Sequence, residues 1–584
     1  MSEPRPPRRG LHELDEETIW AAILICGAAL FLLWRLASHH AAPLLAVLVV
    51  AALVAAVALC ARARVADRAA RRLDPPGPGV VVGQTRGTWP GARPRPFFLP
   101  WRCFTRHVLI VGPTGRGKTM SFIDPILRAH VARPGASVFY LDGKGTRVDL
   151  DDPRTGARGT AFDHVFCPED PASSARWNPL GGADPVRAAA RLAAALYPEA
   201  TQADQYYAQS AAFVIATVAP AMAYTGHGLD AVIRVRPHAE LVADLVGRGI
   251  DAALADGLAR NGDETERQLR WLPRRENQEA AALVELIRRK AGPAAGWPES
   301  EHWPPPVQVT IADLNRLLFT GDLGSLRDAI KTLLLDVTHP PRRARLEQLE
   351  TDLGALAAMS DRERGAILSG LRNRLGWFLR PPFLELCSGS DFDIAQITEG
   401  RSIGFLLPTG SFPDVAVPLG RVALAHFTQA VLSSTPERTK LAVLDEFHSF
   451  VDEHFAAFLN QARSYGGGAV MALQTIASIP REHRDELLAN PSTVIVTPGC
   501  MPFDADHFSR VFGETQVEQR SCTYETGAAH LGPRRGSVRI DVRDQPRHTP
   551  TQITELEPLH AIVVLQDGTG RYGPTTVHVR HQQT

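Results

Sequence analysis

Gly112-Pro-Thr-Gly-Arg-Gly-Lys-Thr119 is the stretch of this sequence whose residue types and spacing most directly specify chemistry. It follows a short apolar run, His107 to Val111, and opens SFIDPILRAHVA, which reads as a helix. A strand, a glycine-rich loop and a helix in that order, with Lys and Thr closing the loop, make a phosphate cradle. Gly112, Gly115 and Gly117 let backbone N–H groups turn toward phosphate oxygens, with Pro113, Thr114 and Arg116 between them. Lys118 reaches the β- and γ-phosphates of a nucleotide such as ATP, and the Thr119 hydroxyl is placed to ligate Mg²⁺. A glycine-rich turn before a helix is the plain alternative, and the preceding strand argues against it.

A phosphate cradle hydrolyses nothing alone, so carboxylates are needed at the end of another buried strand. Leu441, Ala442, Val443 and Leu444 form a continuous apolar run, as expected of a parallel strand covered on both faces, and end in Asp445 and Glu446. Asp445 is the expected Mg²⁺ ligand, and Glu446 the expected general base for the attacking water. A strand ending in two acids is common, and the phosphate loop gives this one its meaning. Gln474 closes the apolar run Ala469 to Leu473 and is either a γ-phosphate sensor or an ordinary polar strand end. Ser137 to Leu141 ends in Asp142-Gly-Lys144-Gly, which reads equally as part of the site or as a turn. Ile403 to Leu407 and Val494 to Thr497 complete the set of expected strands. Lys118, Lys144, Lys290, Lys331 and Lys440 are the only lysines among 63 basic residues, so a lysine inside a motif is less open to chance.

These elements sit in a chain of 584 residues, enough for about two to four domains. A hydrophobic content of 45% with 22% charged residues excludes wholesale disorder. Lys plus Arg and Asp plus Glu both number 63, so any nucleic-acid contact must come from a local patch rather than a global field. The 7 cysteines show no paired spacing and no histidine cluster, which reads as a reduced cytosolic setting without a structural metal.

Ile19 to Trp34 and Ala41 to Cys60 are apolar and uncharged, with Arg35, His39 and His40 between them. Two such runs fit a transmembrane hairpin better than a secretory signal, which has one apolar region and a cleavage site. Arg5, Arg8 and Arg9 before the hairpin, and Arg62, Arg64, Arg68, Arg71 and Arg72 after it, place both ends in the cytoplasm. That topology makes the expected location the inner membrane, with two spans. The later arginine cluster reads as a topology anchor, and Pro75, Pro76, Pro78, Pro90, Pro94 and Pro96 as a stiff linker.

Far more chain separates Lys118 from Asp445 than a compact nucleotide-binding core needs, so something is inserted. From about Asp184 to Asp393 the pattern is helical: Leu346, Leu349, Leu353 and Leu356 form one stripe, and Val186, Ala190, Ala193 and Tyr197 another. The Pro-rich stretch from Gly292 to Pro306 reads as a surface loop. The expected fold class is α/β, a nucleotide-binding core with an all-α insertion and an N-terminal hairpin. The boundaries are 1–17 for a cytoplasmic tail, 18–60 for the spans, 61–100 for a linker, 101–183 and 396–584 for the two parts of the core, and 184–395 for the insertion.

Taken in order, the motifs resemble the TraG/TraD-type coupling proteins of type IV secretion and conjugation. The resemblance runs through GPTGRGKT (Gly112 to Thr119), FYLDGKG (Phe139 to Gly145), SSARWNPL (Ser173 to Leu180) and DQYYAQSA (Asp204 to Ala211). It continues through SDFD (Ser390 to Asp393), LAVLDEF (Leu441 to Phe447), QARSYGGGAVMALQ (Gln461 to Gln474) and LLAN (Leu487 to Asn490). It implies a RecA-like P-loop NTPase core related to FtsK and HerA, a homo-hexameric ring, and ATP at subunit interfaces. Such a ring needs a cation from the neighbour, and Arg463, in the matching segment, is the candidate arginine finger, with a surface helix arginine as the alternative. Two departures stand out: Arg116 replaces a small residue in the loop, and the connection between the spans is very short.

The resemblance implies an ATPase that receives a DNA–relaxase substrate at a secretion channel and drives its transfer. Contact with single- or double-stranded DNA would be sequence-tolerant and salt-dependent. Coupling of secreted protein effectors, a docking receptor without hydrolysis, and an FtsK- or HerA-like DNA translocase are the competing readings. Intact Lys118, Thr119, Asp445 and Glu446 argue against the receptor. Arg534, Arg535 and Arg539 are a weak candidate for DNA contact and read more readily as a solvated loop.

Overall fold

The structure is a computed structural model that describes residues 78–85, 94–145, 162–182, 184–197, 205–227, 308–335, 337, 339–524, 536–567 and 570–579. The expected transmembrane hairpin, the arginine cluster after it, the Pro-rich loop before residue 307, and Arg534 and Arg535 lie outside the described residues. Residues 77–83 and 98–584 group into one compact unit, and the site lies within it. Of the other unit only residues 84–85 and 94–97 are described, and there Thr85 donates its hydroxyl to the Arg95 carbonyl at 3.4 Å.

Apolar runs in this sequence become the strands of one large sheet. From residue 108 onward they are β1 (Val108–Val111), β2 (Ala136–Asp142), β3 (His164–Phe166), β4 (Ile403–Leu406), β5 (Thr439–Asp445), β6 (Gly467–Leu473) and β7 (Thr493–Val496). A separate two-stranded ribbon holds β8 (Glu514–Tyr524) and β9 (Gly536–Pro546), and β10 (His560–Asp567) and β11 (Gly570–His578) return to the large sheet. Spatially the order is β11-β10-β7-β1-β6-β5-β2-β4-β3. The strands from β7 to β3 are parallel, whereas β10 and β11 run antiparallel along one side. Every residue of β1, β2 and β6 is buried, as a sheet covered on both faces requires.

Register brings the chemistry to one end. Val111 lies opposite Leu473 and Val496, Asp142 opposite Asp445 and Leu406, and Asp445 opposite Ala472. The carboxyl ends of β1, β6, β5 and β2 therefore form one rim, where ligands of open parallel sheets bind.

Between Asp184 and Asp393 the described residues contain helices and turns and no strand. They include α2 (Pro185–Leu196), α3 (Gln205–Thr225), α4 (Ile311–Thr320), α5 (Leu323–Leu334), α6 (Pro340–Ala358) and α7 (Asp361–Gly376), after α1 (Asp124–Val131) in the core. Leu346, Leu349, Leu353 and Leu356 are all buried along α6. The second expected stripe is displaced, because Ala190 is exposed. With Asp184 capping the helix and Pro185 in its first turn, the buried face runs through Ala188, Ala189, Leu192, Ala195 and Leu196.

α3 and α8 (Pro413–Leu432) are, among the described residues, the two helices long and apolar enough to cross a membrane. Their apolar windows are 72% and 61% buried inside the protein, so the apolarity serves the core. The ribbon overturns one expectation: Arg539 lies in β9, opposite Ser521 of β8, and not in a loop. The sequence does alternate over Val538-Arg-Ile540-Asp-Val542-Arg543 of β9, a strand signal that the loop reading passed over, and the alternation does not serve core burial at Val517, Ile540 and Val542, which are exposed.

Candidate active site

The phosphate loop leaves β1 at the sheet rim and enters a helical turn, Thr119–Ile123, that continues as α1. Its path depends on missing side chains. A Cβ on Gly112 would lie 1.8 Å from Thr497 Oγ1, so this strand end passes hard against the segment after β7. Gly117 has φ +80°, a left-handed conformation that glycine adopts without steric cost. Thr114, Gly115 and Arg116 at the crest are exposed, whereas Lys118 is buried.

Lys118 folds back on its own loop, donating to the Gly112 carbonyl and, at 3.3 Å, to the Pro113 carbonyl. Burial pulls its pKa below the ordinary lysine value, while the nearby Glu446 carboxylate works in the opposite direction. The Thr119 hydroxyl donates to Asp445 Oδ2 at 3.0 Å. Asp445 Oδ1 is buried and has no hydrogen-bond partner. A hydroxyl beside a carboxylate with a spare buried oxygen is the hard oxygen donor set that Mg²⁺ takes, so these residues fit that ion.

Glu446 follows Asp445 with φ +56°, which is uncommon outside glycine and turns the chain sharply after β5. Its Oε1 accepts from Gln474 Nε2 at 3.1 Å. Its Oε2 is buried without a hydrogen-bond donor, and His448 Nδ1 stands 3.8 Å away, beyond hydrogen-bond reach. One carboxylate oxygen is thus held and the other left free.

The structure adds further groups around these residues, among them Lys144, which the sequence left open between site and turn. Lys144 Nζ lies 3.4 Å from Asp445 Oδ2 and 3.3 Å from Glu446 Oε1. Burial opposes its charge, but Asp445 and Glu446 hold its pKa above the ordinary lysine value. The scarcity of lysines and the position of Asp142-Gly-Lys144 at a strand end were the signals available for it. Desolvation pushes the Asp124 carboxyl up to about 6. Burial, with the charges of Asp142, Asp445 and Asp124, raises the Tyr140 hydroxyl well above its usual range.

Lys118, Thr119, Asp445, Glu446 and Gln474 therefore converge at one rim. Arg463 does not join them. It is exposed in the turn Ala462–Tyr465 before β6, at the amino end of the sheet, about 20 Å from the rim by strand length. Arg116 stays at the loop crest, where a side chain on Gly499 would meet its Nε at 3.5 Å.

Comparisons with known proteins give the arrangement its context. A family model described as "Type IV secretory system Conjugative DNA transfer" matches residues 333–568, and one described as "Type IV secretion-system coupling protein DNA-binding domain" matches residues 97–261. No curated protein matches the chain in sequence. Among solved structures, the bacterial conjugative coupling protein TrwBdeltaN70 in an unbound monoclinic form superposes with a TM-score of 0.52 at 16% identity, covering 88% of this chain and 92% of that one. TrwB in complex with the non-hydrolysable GTP analogue GDPNP gives 0.51 at 15% identity with the same coverage. TrwB in complex with the non-hydrolysable ATP analogue ADPNP gives 0.50 at 16%, again covering 88% and 92%. At such identities the likeness establishes the fold, the mixed α/β nucleotide-binding architecture described above. The two family models together match more than half of the chain and agree on one assignment: the chain belongs to the TraG/TraD-type coupling proteins of type IV secretion, the family of conjugative DNA transfer.

Proposed function

We propose that this protein is a membrane-anchored P-loop ATPase that couples a DNA–relaxase substrate to a type IV secretion channel and drives conjugative DNA transfer by hydrolysing ATP. The observation that carries this reading is the convergence of Lys118, Thr119, Asp445, Glu446 and Gln474 on the rim of one parallel sheet. The loop from Gly112 to Thr119, including Pro113, Thr114, Gly115, Arg116 and Gly117, holds the nucleotide phosphates. Lys118 leaves its loop carbonyls to meet β- and γ-phosphate oxygens. Thr119 and Asp445 hold Mg²⁺, which when bound neutralises charge developing on the phosphates. Glu446 takes the proton of the attacking water on its free Oε2, while Gln474 fixes Oε1.

Arg463 acts on a neighbour's nucleotide in a homo-hexameric ring. Its place at the amino end of the sheet supports this, because from there it is out of reach of its own Lys118. The ring sits at the inner membrane through two N-terminal spans, with both termini cytoplasmic, and contacts the channel proteins there. The insertion of residues 184–395 is a separate all-α domain between the core segments 101–183 and 396–584.

The deciding experiment is ATP turnover by the full chain with single- and double-stranded DNA across a salt series. Several-fold stimulation that fades as salt rises is the expected result, since phosphate contacts release counterions. Turnover indifferent to DNA at every salt concentration would move the assignment to protein cargo. For the interface, Arg463→Ala subunits mixed with Glu446→Gln subunits should regain turnover that neither shows alone. An absence of rescue at every mixing ratio counts against a role across subunits.

A further inference from the structure

Two ionised carboxylates side by side at one strand end repel each other, and burial makes the repulsion costly. Asp445 and Glu446 are in this position, with side chains only 1% and 7% exposed. The loop lysine does not pair with either of them, because Lys118 bonds its own loop carbonyls and acts on the two acids only through space. Lys144 does, with its side chain 33% exposed and its ammonium between Asp445 Oδ2 and Glu446 Oε1 at 3.4 and 3.3 Å.

The turn that delivers Lys144 is held on three sides. Gly143 N donates to the Asp445 carbonyl at 3.2 Å, and Lys144 N to Asp142 Oδ1 at 2.9 Å. Thr409 donates to the Gly143 carbonyl through both its N–H, at 3.0 Å, and its hydroxyl, at 2.8 Å. A Cβ on Gly143 would lie 3.4 Å from Glu446 Cβ, and one on Gly145, at φ +71°, would meet Pro408 at 2.8 Å. A solvated turn has no need of this much fixation, so the backbone is arranged to aim one side chain.

We infer that Lys144 is a positioning residue, whose ammonium stands between the two carboxylates before the nucleotide arrives and yields Asp445 to the divalent ion when it does. It shares Asp445 Oδ2 with the Thr119 hydroxyl and Glu446 Oε1 with Gln474. Its charge therefore competes with a divalent cation for Asp445, and its contact with Oε1 leaves Oε2 as the oxygen that meets water. The turnover part deepens the ATPase reading above and rests on it, whereas the metal part does not.

The test uses the nucleotide-free full chain and Mn²⁺, followed by electron paramagnetic resonance, in the wild type, Lys144→Met and Lys144→Arg, with Asp445→Asn to identify the site by its loss. Removing one positive charge about 4 Å from the ligand should tighten Mn²⁺ about tenfold in Lys144→Met. Lys144→Arg, which keeps the charge, should bind Mn²⁺ as the wild type does. Equal affinity in the wild type and Lys144→Met, or the same tightening in Lys144→Arg, overturns the competition. In turnover, Lys144→Met should lower kcat about tenfold with KM for ATP unchanged, and Lys144→Arg should recover part of it. An unaltered kcat overturns the anchoring of Glu446. A wild-type chain that never hydrolyses ATP defeats the functional reading instead, and the Mn²⁺ series still decides the role of Lys144.

Discussion

Lys118→Ala should reduce ATP turnover by at least about a thousandfold and leave the chain folded. The side chain makes two hydrogen bonds, both to carbonyls of the loop that carries it. Both bonds close the loop on itself, the longer span being from Lys118 to Gly112, so its loss loosens the loop and no packing between distant elements. Its ammonium is desolvated, which makes it a poor contributor to stability and a strong partner for phosphate oxygens in the same dry setting. Nucleotide binding followed by a fluorescent analogue and melting followed by circular dichroism separate the two claims. A variant that melts with the wild type and still turns over ATP removes the loop as the nucleotide site.

Glu446→Gln has a different signature. The amide keeps the shape of the carboxylate but cannot accept the proton of water, so turnover should fall about 100- to 10,000-fold while ATP binding persists. The neighbouring contacts sharpen the expectation, because Gln474 Nε2 can still donate to an amide oxygen at the Oε1 position. Single-turnover hydrolysis with the nucleotide in molar deficit, beside equilibrium binding, gives the two numbers required. Rapid hydrolysis in this variant would transfer the base role to another group.

The strand runs were legible because a sheet covered on both faces demands unbroken apolar sequence: Val108–Val111, Thr439–Asp445 and Gly467–Leu473 lie within a residue or two of where their composition places them. The phosphate loop was legible because few residue types can follow its path. Lys144 was not, since a lysine two residues past a strand end looks the same whether it faces water or a pair of acids. That difference comes only from the register setting Asp142 opposite Asp445. The short strand His164–Phe166 and the ribbon of Glu514–Tyr524 with Gly536–Pro546 were missed for another reason. The first is too short to carry a period, and in the second the alternation of Val538, Ile540 and Val542 with charged residues was passed over for a loop. The shifted stripe of Pro185–Leu196 shows a one-residue ambiguity that alanines create, because Ala189 and Ala190 are indistinguishable until the neighbouring helices choose a face.

The neighbours of β1 also set a timetable. The His107 ring nitrogen accepts from the Ala469 N–H, 362 residues away, and Val108 pairs with Val470 and Thr493. On a ribosome adding about 5–20 residues per second, β1 waits roughly 20–70 s for the strands that flank it. Throughout that interval VLIV is an unpaired apolar edge, and until β5 is made the phosphate loop lacks Asp445 and Glu446. The nucleotide site is consequently among the last features of the molecule to exist, and a nascent chain interrupted anywhere before β5 has none at all.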